Sequence, residues 1–278
     1  MTSGNPTTDS PARSSRTASA FTHGKAFIPF ITCGDPDLQT SAALVRSFAQ
    51  AGADLIELGI PFSDPTAEGV TIQDANLRAL SAGTTTDKVF ELVHDLREGI
   101  SGPAVDIPLA FMTYANVVFS YGTERFCAAA EEAGIDAIIL PDVPFEEKGD
   151  FDAIARQHGI DLVSLIAPTS NERIRMIAAE SSGFVYCVSS LGVTGTRDAI
   201  TTDIGSMVEL VREATGTPVA VGFGISTPEQ AAQMARLSDG AIVGSAIVKL
   251  IAEHGRDAVE PASELVRAMA QAVHAIQA

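Results

Sequence analysis

Two hydrophobic rhythms alternate along the chain from residue 26 onward. Short apolar runs occupy 26–32, 54–58, 108–112, 137–140, 161–166, 183–188, 218–221 and 240–243. Between them, apolar residues recur at helical spacing, as in 41–51, 88–98, 123–133, 152–158, 172–180, 204–214 and 228–235. Ser170-Asn171-Glu172 and Thr227-Pro228-Glu229 read as capped helix starts, with Pro228 at the first helical position. Because the runs are apolar on both faces, they predict strands of a parallel sheet covered by helices. Eight strand–helix repeats predict an α/β fold, a single (βα)8 TIM barrel. An open doubly wound sheet is the alternative, since periodicity alone does not prove closure. After the eighth run, 245–254 and 261–277 predict a short extra helix before the closing one, an arrangement that builds phosphate sites in barrels.

The first twenty residues break this rhythm. They are rich in Ser, Thr and Pro, contain Arg13 and Arg16 together with Asp9, and lack the apolar stretch of a signal peptide or a membrane span. They predict a disordered polar tail over 1–20, leaving 21–278 for the barrel domain. A length of 278 residues with 46% hydrophobic content suits one large core better than two domains. Eighteen Lys and Arg against 35 Asp and Glu give a net charge of −17, a field that repels nucleic acid and anionic lipid. Neither is expected as a partner. Cys33, Cys127 and Cys187 are odd in number, widely spaced and in apolar contexts, which predicts reduced thiols in a cytoplasmic protein. The five histidines show no ligand spacing, so no metal is expected.

The run around residue 57 contains a carboxylate, Glu57, among Leu55, Ile56 and Leu58. Burying a carboxyl raises its pKa and costs several kcal/mol if it ionises without a partner. Glu57 is therefore predicted at a strand end facing a cavity, where it can act as acid and base. A core Glu held by backbone donors is the other reading. From Gly59 to Asp74 the pattern predicts a long loop, stiffened by Pro61 and Pro65, that presents Asp64 and Glu68 over the strand ends.

Three glycine-rich turns follow the last three strands: Gly192-Val193-Thr194-Gly195, Gly222-Phe223-Gly224-Ile225-Ser226 and Gly244-Ser245-Ala246. Glycine lets backbone approach a ligand closely, and a helix N-terminus aims free N–H groups at an anion. The last two turns carry no Lys or Arg, so a phosphate there is expected to rest on backbone dipoles and the Ser245 hydroxyl.

These motifs, together with Phe27-Ile28-Pro29-Phe30-Ile31-Thr32, Glu57-Leu58-Gly59-Ile60-Pro61-Phe62-Ser63-Asp64-Pro65, Tyr114-Ala115-Asn116 and Pro141-Asp142-Val143-Pro144, resemble the tryptophan synthase α subunit family over nearly all of 26–276. The resemblance implies retro-aldol cleavage of indole-3-glycerol phosphate to indole and glyceraldehyde 3-phosphate, without metal or organic cofactor. It implies Glu57 and Glu68 as catalytic groups and Phe30, Ile72, Tyr114 and Tyr186 around the indole ring. Gly195, Gly224, Gly244 and Ser245 would hold the phosphate. It further implies a β subunit carrying pyridoxal phosphate, an αββα assembly, Asp64 and Asn116 toward that partner, and Thr194 in a lid that meets Asp64. Three departures stand out. Glu68 replaces the family's Asp, Ser189-Ser190-Leu191 replaces a common basic residue, and the N-terminal helix is shortened. Two other functions compete: another phosphate-binding barrel enzyme, and a catalytically weak activator of the β subunit, for which Glu68 is the motive.

Overall fold

The computed structural model describes residues 16–188, 204–222 and 224–277. Within them, β1 (Ala26–Thr32), β2 (Ile56–Gly59), β3 (Leu109–Met112), β4 (Ala137–Ile139), β5 (Asp161–Ile166), β6 (Val185–Val188), β7 (Val219–Gly222) and β8 (Gly240–Val243) pair in chain order. All pairs are parallel, and β8 returns to β1 through Ala26 opposite Gly240 and Ile28 opposite Ile242. Closure of the barrel excludes the open sheet.

Around it lie α1 (Arg16–Ser19), α2 (Leu38–Ala51), α3 (Val70–Ser81), α4 (Thr86–Glu98), α5 (Ala115–Tyr121), α6 (Thr123–Ala133), α7 (Gly149–Gln157), α8 (Asn171–Ala179), α9 (Ile204–Ala214), α10 (Pro228–Leu237), α11 (Ser245–His254) and α12 (Val259–His274). The expected caps are present. Ser170 accepts from the Arg173 N–H, and Thr227 and Gln230 form a reciprocal capping box ahead of Pro228.

Strand periodicity divides the core in two. Alternate residues such as Phe27, Ile31, Ile56, Leu58 and Phe111 pack outward against the helices. Their neighbours, among them Ile28, Leu55, Ala110, Ile139, Val163, Phe184 and Tyr186, fill the barrel. Cys33, Cys127 and Cys187 are free and buried, and burial pushes their thiols up to about 12, 11 and 12, which keeps them protonated and inert.

The structure corrects two readings of the pattern. Residues 16–20 were expected in a disordered tail, but 16–19 form α1, Thr17 is fully buried with its hydroxyl on the Asp136 carbonyl, and Phe21 packs on Phe184 with ring centroids 5.8 Å apart. The segment closes the N-terminal end of the barrel, a contact no local pattern announces. The expected loop over 59–74 is shorter, because Gly59 still pairs with Thr32 and Met112 in the sheet and α3 begins at Val70. There the Ile72, Ala75, Asn76 and Ala79 face is buried, and that packing extends the helix back to Gly69 as its extended N-cap. Tyr114-Ala115-Asn116, to which the pattern assigned no element, opens the helix α5, whose first N–H is accepted by Asp142 at 3.0 Å.

Candidate active site

Glu57 occupies the second position of β2, between Ile56 and Leu58, which point outward, so its side chain points into the barrel. Its register neighbours are Phe30 on β1 and Ala110 on β3. The residue is 1% exposed, and neither carboxyl oxygen has a hydrogen-bond partner among the described residues. Desolvation raises its pKa from 4.5 to about 8, so the group holds its proton at neutral pH. No backbone donor among the described residues holds it, which counts against the reading of Glu57 as an internally satisfied core residue. Buried polar groups are nearly always paired, so an inward carboxyl with two orphaned oxygens is a group waiting for a ligand's polar atoms.

Tyr186 stands in the same layer, buried in the inner cluster, and burial together with the Glu57 charge raises its phenol well above the usual value. Room for its hydroxyl exists because residue 222 on the adjacent strand has no Cβ, which would lie 2.5 Å from that oxygen. Gly59 does the same for Phe30, where a Cβ would meet the ring at 2.7 Å.

Glu68 lies just before α3 and is 7% exposed. Burial raises its pKa to about 7, opposed by hydrogen bonds from Asn76 and Tyr114 that favour the ionised form. Asn76 donates its amide to Glu68 Oε2 at 2.7 Å from one helical face further on. The Gln73 side chain donates to the Glu68 carbonyl at 2.7 Å, and the Tyr114 hydroxyl accepts from the Ala67 N–H at 3.2 Å. Helix α3 is itself pinned, since Arg78 makes two bonds of 2.8 Å to the buried Asp35 beyond β1. Two carboxyls thus stand at the C-terminal side of the barrel with different surroundings. One is unsupported and protonated; the other is cradled by donors and ionises earlier.

Phe30, Ile72 and Tyr186, expected around the ring, fall in two clusters. Phe30 and Ile72 meet with Ala75 and Val248, whereas Tyr186 belongs to the inner barrel cluster. Met112, at the end of β3, packs against both. Tyr114 is 2% exposed and stacks on Phe62 at 5.3 Å. Sequence reasoning missed Met112 and Asn76. The first was legible only as another apolar strand residue, and the second becomes informative once α3 places it over Glu68.

Gly222 lies opposite Ile242, so the turns after β7 and β8 are neighbours. Gly224 has φ +50°, a conformation that suits glycine, and Gly244 is the N-cap of α11 without any side-chain cap. The first amides of α11, beside Ser245, thus have no side-chain cap. Asp64 is exposed and accepts from the Ser63 hydroxyl, while Asn116 is exposed on α5 and accepts from Ser120 at 3.4 Å. Thr194, Gly195, Phe223 and the 189–191 departure lie outside the described residues. No three His, Cys, Asp or Glu side chains gather as a metal site among the described residues.

The family described as tryptophan synthase alpha chain matches residues 18–276. The tryptophan synthase alpha chain of Geobacter sulfurreducens is 48% identical over 251 residues, 88% of this chain and 93% of the relative. That of Lacticaseibacillus casei is 42% identical over 261 residues, 94% and 96% of the two chains. Among solved structures, the tryptophan synthase alpha chain of Legionella pneumophila superposes with a TM-score of 0.84 at 33% identity, covering 95% of this chain and 99% of its own. A chain of the tryptophan synthase complex of Pyrococcus furiosus gives 0.80 at 35% identity, with 89% and 99% covered.

Proposed function

The chain belongs to the tryptophan synthase alpha chain family, and from that membership we propose that Glu57 and Glu68 carry the family's retro-aldol cleavage of indole-3-glycerol phosphate. The observation that supports this most is the pair of buried carboxyls in different surroundings, both raised by burial, Glu57 without a hydrogen-bond partner among the described residues and Glu68 held by Asn76. Protonated Glu57 gives its proton to indole C3, and the positive charge that develops at the ring nitrogen is met by the Glu68 carboxylate accepting the N–H. The Glu57 carboxylate then takes the proton of the side-chain hydroxyl. The C–O bond becomes a carbonyl, the bond to C3 breaks, and its electrons restore the indole. Glu57 ends protonated, as it began. Phe30, Ile72, Met112, Tyr114 and Tyr186 flank the flat ring. The chemistry requires no organic cofactor from this chain, and pyridoxal phosphate belongs to the β subunit. The direct test is turnover of indole-3-glycerol phosphate by the isolated chain and with a β subunit added.

The phosphate end rests on the turns after β7 and β8. Substituting Gly244→Val places branched carbon against Phe30, whose Cδ1 lies 3.4 Å from the first added atom, and crowds the first amides of α11. Gly224→Val adds backbone strain at φ +50°. Both variants are expected to weaken substrate and glycerol phosphate binding in parallel, measured by titration. A soaked phosphate bound away from these turns would remove the assignment.

The tryptophan synthase of Pyrococcus furiosus is an α2β2 complex, and this chain is proposed to join a β subunit in the same way. On this chain the face toward it is proposed to comprise Asp64, Asn116 and the α5 surface, where Phe119 is 74% exposed, together with Val70, 70% exposed at the start of α3. Asp64→Ala is expected to reduce stimulation by the β subunit more than it reduces the basal rate. Identical turnover with and without saturating β subunit would reject the docking role. No helix among the described residues is long and apolar enough to cross a membrane. A cytoplasmic location is proposed from the three buried, reduced thiols.

A further inference from the structure

Away from the paired carboxyls, a cavity of about 310 Å³ opens between the chain after β4 and the β5–α8 wall. Its walls are chiefly apolar, with Val143 and Phe145 on one side and Leu162 and Ile177 on the other. None of Glu57, Glu68, Phe30, Ile72, Tyr114 or Tyr186 lines it, although Val163, Leu165 and Val188, which belong to or pack against the inner cluster that holds Tyr186, form its barrel-side edge. Lys148, at the start of α7, does, and it is only 9% exposed.

A buried ammonium is expensive unless its charge is balanced. Lys148 has three donors and two acceptors, the Ser164 hydroxyl at 2.8 Å and the Glu180 carbonyl at 3.3 Å, both neutral. Asp152, Glu180 and Asp161 contribute at longer range, but no carboxylate forms an ion pair with it among the described residues. Burial lowers its pKa, the direction expected of a cation short of a counter-charge. Arg173 also reaches the cavity, yet its guanidinium is occupied by Glu146 through bonds of 2.7 and 2.9 Å, and both side chains are well exposed. That pair sits at the rim, so Lys148 is the cation inside.

We propose that this cavity is a second binding site, for a small organic carboxylate whose apolar body fills the Val143–Phe145–Leu162–Ile177 walls and whose carboxylate takes the free donor of Lys148. The volume suits a one- or two-ring molecule, at the small end of ligand pockets. The Ser164 hydroxyl, already bonded to Lys148 Nζ, holds the ammonium at the cavity wall and leaves the anion a fixed target.

The test uses 1-naphthoate and its neutral amide as probes on the full chain, followed by fluorescence or calorimetry, with indole-3-propanol phosphate present to fill the primary site. Naphthoate is expected to bind saturably, at least about tenfold tighter than the amide, and Lys148→Met to lose about tenfold in affinity while Lys148→Arg keeps most of it. Turnover of indole-3-glycerol phosphate should not change in either variant. Should Lys148→Met fail to fold, as thermal unfolding would reveal, the acid-against-amide comparison on the unaltered chain decides. Equal binding of acid and amide, equal binding by a folded Lys148→Met protein, or displacement of naphthoate by the indole phosphate would each overturn the proposal.

Discussion

Replacing Glu57 by Gln is expected to leave the barrel folded and to cut cleavage of indole-3-glycerol phosphate by about 10²-fold or more. The amide has the volume of the carboxylic acid but can neither deliver a proton to carbon nor take one from a hydroxyl. Folding should survive, since the side chain makes no hydrogen bond among the described residues and nothing is uncoupled by the change. The pH dependence of stability supplies an independent check. The unfolded chain releases this proton near 4.5, whereas the folded one holds it to about 8. Ionisation therefore favours the unfolded state, and Glu57 drains stability as pH rises from 4.5 to 8. Glu57→Gln should remove that slope. Chemical denaturation of both proteins across this range would measure it. Near-normal turnover by the folded variant would end the assignment of Glu57 as the acid–base group.

Glu68 carries the second large effect. Its role requires the ionised form, which burial resists and the Asn76 and Tyr114 bonds support, leaving it near 7. Glu68→Ala is expected to lose at least about 10²-fold in turnover, because the developing charge on the ring nitrogen then has no carboxylate to meet it. Glu68→Asp is expected to retain measurable activity below that of the parent. The shorter arm reaches about one C–C bond less far, and catalytic groups must sit within ~0.5 Å of productive geometry. The 2.7 Å bond from Asn76 would also have to stretch or follow. With both groups intact, the rate should climb as Glu68 ionises around pH 7 and fall as Glu57 loses its proton around pH 8. A narrow bell with those limbs is the expected pH profile, and Glu68→Ala should lose the acidic limb. Unchanged rates in Glu68→Ala would show that this carboxylate does no chemistry and favour the activator reading instead.

The most legible parts of the chain were those whose evidence was local. Alternation of apolar runs and helical spacing located β1, β5, β8, α6, α9 and α11 at their observed bounds. Glu57 was conspicuous because an acid stood where a strand wants an aliphatic residue, and the glycine turns stood out by position after the last strands. The elements missed lacked such a signal. Helix α3 has a modest amphipathic face and an extended glycine as its N-cap, and only burial of Ile72, Ala75 and Asn76 against the barrel makes its first turn worthwhile. Helix α5 is seven residues long, too short to announce itself, and its cap comes from Asp142 on another loop.

By itself, the sequence determined the eightfold βα order and the residue types able to do acid–base work, because periodicity and side-chain chemistry are properties of neighbours along the chain. Tertiary structure alone decided that the barrel closes and that α1 seals its base. It also decided that Glu57 has no hydrogen-bond partner among the described residues while Glu68 has two, and that Lys148 is buried beside a cavity. Each of these depends on groups far apart in sequence, such as Asn76 over Glu68 or Ser164 against Lys148, whose desolvation and hydrogen bonding exist only once the chain is packed.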